Sequence, residues 1–297
     1  MDKIFPVSAV LAALILPYIL WCVIEPFILD LDRAVLKRSS SDSSGTREIT
    51  VKKLPFEPAN ASDTPDLRFF FFSDIHAEWC PVNSKRICNA IREKHRTSPL
   101  DAVIFGGDIT THPRNAELGY KYLTAVSKCC RELGIPFYGV SGNHDCFLVN
   151  APEQSGFTSL DDRTISMRSH KDGTGITLAG LPDSGRWNRL WKTNMPCGNE
   201  TPVILIAHDP DSIIHLDQGN RPDYMLSGHL HGGQMKFPFR IEFTLLRKSD
   251  ILPQKGAVQG VYDINGTSVF ISRGLGCGVL PFRFLSVPEA SVVEINL

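Results

Sequence analysis

At 297 residues the chain is long enough for one large domain or two small ones, and 31 basic against 32 acidic residues leave a net charge of -1. That balance gives no global attraction to a polyanion, so no nucleic acid is expected as a partner and any phosphate binding must be local. Eight cysteines lack regular spacing and form no CxxC pair, which argues against a zinc knuckle and for free thiols in a reducing compartment.

From Ile4 to Ile24 no charge occurs. As a helix such a run reaches about 31 Å, so a transmembrane anchor is expected. Only Lys3 precedes it, while Arg33, Lys37 and Arg38 follow, a bias that puts the catalytic domain on the cytoplasmic side of an inner (plasma) membrane. Phe27, Ile28, Leu31, Ala34 and Val35 fall at helical spacing and predict an amphipathic juxtamembrane helix, completing a segment over 1–38. A flexible serine-rich linker over 39–46 separates it from a folded domain over 47–297.

Five apolar runs recur in that domain, each short enough for a buried strand and each ending in polar residues able to bind metal. LRFFFF precedes Asp74-Ile75-His76, AVIF precedes Gly107-Asp108, and FYGV precedes Asn143-His144-Asp145. VILIA precedes His208, and YMLS precedes His229-Leu230-His231. Helical patterns over Ser84 to Arg96 and Glu117 to Leu133 separate the first three runs, so parallel strands with crossover helices are predicted, their ligands collecting beyond the carboxyl ends. Hairpins are predicted around Lys171-Asp172-Gly173 and Asn265-Gly266, giving a second sheet of more antiparallel character.

Asp74, His76, Asp108, Asn143, His208, His229 and His231 supply the carboxylate and neutral imidazole donors that a pair of divalent cations requires. Singly each motif is weak, since a Gly-Asp is usually a turn and a histidine after a strand is often a core residue. Their order is specific: DxH, GGD, GNHD, H and GHxH each follow a predicted buried strand and hold five of the nine histidines. In this order the chain resembles the calcineurin-like metallophosphoesterase superfamily.

That resemblance implies an α/β domain built as a four-layer α/β/β/α sandwich. It implies that Asp74, His76 and His231 hold one divalent metal ion, that Asn143, His208 and His229 hold a second, and that Asp108 bridges them. Manganese is the expected ion, with iron and zinc as alternatives. His144 is then a general acid beside the metals, and Asp145 a partner fixing the imidazole of His144 or a ligand. The stretch after Gly107-Asp108 lacks the second Asp and the Arg of GDxxDRG, which excludes the Ser/Thr protein phosphatase pattern.

The fuller blocks AHDPD, SGHLHGGQ and SRGLG, with the late Pro288-Glu289, are similar to the YaeI-type branch of bacterial phosphodiesterases. Some members of that branch are UDP-2,3-diacylglucosamine pyrophosphatases of lipid A biosynthesis, which release UMP and a lipid monophosphate. A phosphorylated, lipid-linked nucleotide substrate is therefore expected, with the membrane as a partner. Arg273 and Arg283 are candidates to meet its phosphates, and Phe237, Phe239, Phe243, Leu245 and Leu246 to line an acyl groove. The alternatives are a broad phosphodiesterase or phosphatase acting on another envelope intermediate, and a non-catalytic scaffold; the latter usually loses ligands that this chain keeps.

Overall fold

The computed structural model describes residues 7–39, 49–55, 64–148, 150–183, 201–216 and 221–297, so the linker beyond Ser39 lies outside the described residues. Two sheets hold the domain. The six-stranded one runs β1 (Asp30–Lys37), β13 (Glu289–Asn296), β3 (Leu67–Phe72), β4 (Ala102–Phe105), β5 (Phe137–Gly139) and β6 (Thr158–Ser159). The seven-stranded one runs β2 (Val51–Lys53), β11 (Gly260–Ile264), β12 (Thr267–Ile271), β10 (Tyr224–Ser227), β9 (Val203–Ala207), β8 (Gly175–Leu181) and β7 (Thr164–Arg168).

Continuous apolar strands follow from burial on both faces. In β3, Phe69 and Phe71 point into the core between the sheets, while Phe70 and Phe72 point to the opposite side. In β9, Ile204 and Ile206 share that central core, and Val203, Leu205 and Ala207 face outward from the other sheet. This period of two lets each run feed two cores at once.

Two helices cover the outer face of the first sheet. α2 (Ser84–Thr97) starts where Asn83 accepts the Arg86 amide and ends with Lys94, His95 and Arg96 against its carbonyl end. α3 (Ala116–Leu133) stops at Gly134, whose φ of 69° provides the left-handed turn. Among the described residues the outer face of the second sheet carries only short helical turns, such as Pro210–His215 and Ile251–Gln254. The strand, helix, strand, helix, strand order from β3 to β5 is as expected, and so are the β7/β8 and β11/β12 hairpins.

The N-terminal expectations require correction. No helix among the described residues is long and apolar enough to cross a membrane. α1 (Val7–Ile24) has 18 residues. Its end is tied to the domain: Cys22 is buried and its carbonyl accepts the Arg283 amide, and Tyr18 packs on Phe284 with ring centroids 4.5 Å apart. The segment read as a juxtamembrane helix is instead β1, paired in parallel with β13 from Asp30 to Lys37, so the folded domain begins well before residue 47.

Glu25 locks this junction. It is fully buried, and its carboxylate accepts the backbone amides of Leu285 at 2.9 Å and Ser286 at 2.5 Å and the Trp21 indole. Glu25→Ala strands both amides and is expected to cost about 2–4 kcal/mol, read as a lower urea midpoint at unchanged slope; an unchanged midpoint would contradict the assignment.

Candidate metal centre

The carboxyl ends of β3, β4 and β5 in one sheet meet those of β9, β10 and β12 in the other along a single edge. The turns leaving these strands are stitched together by backbone bonds: Asp74 N–H to the Gly107 carbonyl at 2.8 Å, Gly228 N–H to His208 at 3.0 Å and Gly276 N–H to Asp74 at 2.7 Å. Side chains separated by more than 150 positions thereby converge. Asp74, His76 and His231 bring one donor atom each within 4.8 Å of one another, and Asp108, His208 and His229 do the same.

Asp108 touches both groups. Its Oδ2 lies 3.4 Å from His76 Nε2 and 3.2 Å from His208 Nε2, the position a bridging carboxylate would take. His231 Nε2 is 3.5 Å from Asp74 Oδ1, and His229 Nδ1 is 3.1 Å from His208 Nε2. Asn143 Oδ1 and His76 Nε2 are buried without a hydrogen-bond partner. An unpaired oxygen on Asn143, whose neighbour His144 sets its amide on Asp108 Oδ1, fits a divalent cation, because a buried acceptor with nothing to accept from is otherwise costly.

The backbone bends to aim these groups. Asp74, His76, Asp108, His229 and His231 all have positive φ, between 40° and 68°. Each such residue costs of order 1–3 kcal/mol and persists only where the surroundings fix it. Close approach does the fixing: a Cβ on Gly228 would lie 2.4 Å from Asp74 Oδ2, and one on Gly276 would lie 1.8 Å from the Ile75 carbonyl.

The charges arrange themselves around Asp108. Burial would raise its carboxyl, but His208 and then His76 hold it well below the usual carboxylate range, and Asp108 in turn raises His208 well above an ordinary imidazole against the effect of burial. Burial raises Asp74, and the Asp108 charge adds to that. Burial, with neighbouring positive charge, lowers His229 and His231 far enough to keep both neutral, the form in which an imidazole binds metal.

The remaining candidates take distinct places. His144 stands beside the cluster, its ring 5.1 Å from that of His76, with Nδ1 3.2 Å from the Thr111 carbonyl and its own amide on Asp108 Oδ1. Asp145 does not reach the His144 ring. It is pushed up to about 7 by burial and then by Asp108, and it accepts the amides of Asp108, Ile109 and Gly142, so it holds the loop that carries the candidate bridging carboxylate.

Both arginines are engaged by groups of the fold. Arg283 is fully buried and donates to the carbonyls of Arg273, Gly274, Gly276 and Ser286. Arg273 pairs with Asp30 and Glu289. Of the apolar candidates, Phe243 is core, while Phe237, Phe239 and Leu245 are exposed; the Leu246 side chain lies outside the described set. Sequence reasoning missed Thr111, whose hydroxyl meets His76 Nδ1 at 3.0 Å, and Arg247, which contacts His229; neither sits in a recognisable motif.

A shared carboxylate and a private ligand should fail differently. Asp108→Ala is expected to remove both cations, whereas Asn143→Ala removes one of about two per chain, read as manganese content by elemental analysis after dialysis. Equal losses in the two variants would contradict the bridging position.

Comparison with known proteins agrees with this geometry. Residues 67–233 match the profile of the calcineurin-like phosphoesterase family. The "uncharacterized metallophosphoesterase YkuE" of Bacillus subtilis is 31% identical over 244 residues, covering 76% of this chain and 77% of its own length. YkoQ of the same organism, also described as a metallophosphoesterase, is 26% identical over 77% of this chain and 83% of its own. A "transmembrane protein with metallophosphoesterase domain" of Danio rerio is 28% identical over 84% of this chain but 56% of its own length. With the matched region spanning β3 through the last histidine pair, the chain belongs to the calcineurin-like phosphoesterase family and is a hydrolase of the metallophosphoesterase type, a family that uses divalent metals.

Proposed function

We propose that the site hydrolyses a phosphodiester or pyrophosphate bond by in-line attack of water, using two divalent cations, manganese foremost. The observation that carries this reading is the pair of three-residue donor groups, one holding Asp108 and the other reaching the same carboxylate through His76, with an unpaired Asn143 oxygen on the loop whose next amide bonds Asp108. Cations bound there supply Lewis acidity to the phosphoryl oxygens and lower the pKa of bound water.

The chain's own groups do the rest. Asp108 and Asp74, buried together, are repulsive neighbours that neutralising cations would reconcile. The Thr111 carbonyl accepts from His144 Nδ1 and fixes the ring, so that the imidazolium, protonated on both nitrogens, would present its Nε2 proton to the departing oxygen. Asp145 keeps the Asp108 loop in place without entering the reaction.

A narrower reading is that the bond lies in a lipid-linked nucleotide such as UDP-2,3-diacylglucosamine, as in the branch whose AHDPD, SGHLHGGQ and SRGLG blocks this chain resembles. Supporting it, Val279 and Leu280 follow directly on Gly278, whose Cβ position is 3.6 Å from His231 Nε2, and both are exposed, as are Phe237 and Phe239. Apolar side chains at the rim of a polar site suit acyl chains. Release of UMP from that substrate by the purified protein tests it; an enzyme that cleaves bis(p-nitrophenyl) phosphate but yields no UMP leaves only the broader phosphodiesterase.

Chelation should abolish hydrolysis and Mn2+ restore it, whereas activity surviving exhaustive chelation would rule out the metal-dependent reading. His144→Ala is expected to lower kcat by about 10²–10⁴ for an alkyl leaving group and far less for p-nitrophenolate, which departs without a proton. An equal loss on both substrates would remove His144 from the acid role.

A further inference from the structure

Glu78 straps the loop that follows β4 from a turn that no motif marks. It lies half-buried in the short turn Ala77–Trp79, just beyond β3. Its Oε2 accepts the Thr111 amide at 3.0 Å, and its Oε1 accepts the His112 amide and the Asn115 side-chain amide, both at 2.9 Å. A carboxylate can only accept, and here both oxygens are spent on one short stretch of chain.

Two carboxylates therefore hold the segment from Asp108 to His112. Asp145 takes the amides of Asp108 and Ile109, and Glu78 takes those of Thr111 and His112. The Thr111 carbonyl and the His112 amide belong to one planar trans peptide, so an acceptor that fixes the N–H also aims the C=O in the opposite direction. That carbonyl accepts from His144 Nδ1 at 3.2 Å. The His144 backbone is set separately, by its amide on Asp108 Oδ1 at 2.9 Å.

We infer that Glu78 is a positioning residue for His144, acting through the Thr111–His112 peptide. Asp145 fixes the half of the loop that carries Asp108, and Glu78 fixes the half that seats the His144 ring. Glu78 touches neither a donor of the metal centre nor the reacting atoms. Its removal frees the peptide plane to turn, and the ring loses its seat while its backbone stays in place. The Thr111 hydroxyl has its own anchor, the Gly278 carbonyl at 2.8 Å, so the metal centre keeps its support. The catalytic part of this inference rests on the phosphoester reading above; the placement of the ring does not.

Three measurements on the full chain distinguish positioning from general bracing. In a crystal structure of Glu78→Ala grown with Mn2+, His144 Nδ1 should lie beyond hydrogen-bond reach of the Thr111 carbonyl; a ring left in its seat would overturn the inference. Manganese content should match the wild type, and its loss would assign Glu78 to the metal centre instead. With glycerophosphoethanolamine, an alkyl phosphodiester, Glu78→Ala should lower kcat about ten- to a hundredfold with KM within about threefold. Glu78→Gln, which keeps one acceptor for His112 and Asn115, should fall between, and it carries the same readings if the alanine variant does not fold. In a His144→Ala background the Glu78 substitution should cost less than about twofold more, because residues acting as one unit are not additive. A full further loss there would show an action independent of His144 and overturn the inference. If the wild type cleaves no phosphodiester, the proposed function fails while the crystal structure still decides the placement.

Discussion

Asp74 and Asp108 are buried side by side at the seam where two sheets meet, and burying two carboxylates together is unfavourable unless positive charge joins them. In this chain His76 and His208 lie against Asp108 and offset part of that cost. The rest of the architecture serves this cluster. Both sheets end their parallel strands on one edge, the turns leaving them hydrogen-bond to one another, and glycines sit where any side chain would strike a ligand. Five candidate ligand positions in left-handed backbone, at roughly 1–3 kcal/mol each, represent strain comparable with the usual net stability of a domain, about 5–15 kcal/mol. Two aromatic-rich cores and the edge pairing of β1 with β13 offset it.

The N-terminal segment joins this same framework. Glu25 holds the amides of Leu285 and Ser286, the Ser286 hydroxyl bonds to the His231 carbonyl at 2.6 Å, and Arg283 reaches the Ser286 carbonyl at 2.8 Å. The end of α1 is thus two hydrogen bonds away from a candidate metal ligand, and the turn carrying the GHxH pair is braced from both termini of the chain.

The central strands and the candidate donors that gather at their ends could be read from the sequence because each strand is apolar on both faces and stops at a polar motif. LRFFFF, AVIF and VILIA need no partner information to be recognised. The stretch from Asp30 to Lys37 misled for the opposite reason: Leu31, Ala34 and Val35 fall at helical spacing, while the buried Ala34 and Leu36 follow the strand period, and the deciding partner, β13, lies some 260 positions away. An apolar run near the start spelled a membrane span until its far end proved to be docked on Phe284 and Arg283. Arginine roles were equally illegible, since a guanidinium serves whichever carboxylate or carbonyl the fold delivers. Asp30 and Glu289 claim Arg273, loop carbonyls claim Arg283, and His229 with Asp250 claims Arg247.

The central claim is that one carboxylate, Asp108, joins two cation sites into one centre. Electron paramagnetic resonance of the Mn2+-loaded protein tests it most directly, because ions about 3.5–4 Å apart across a shared ligand are magnetically coupled. A coupled dinuclear spectrum at full loading is the predicted result. Two independent six-line spectra, or saturation at a single ion, would contradict it.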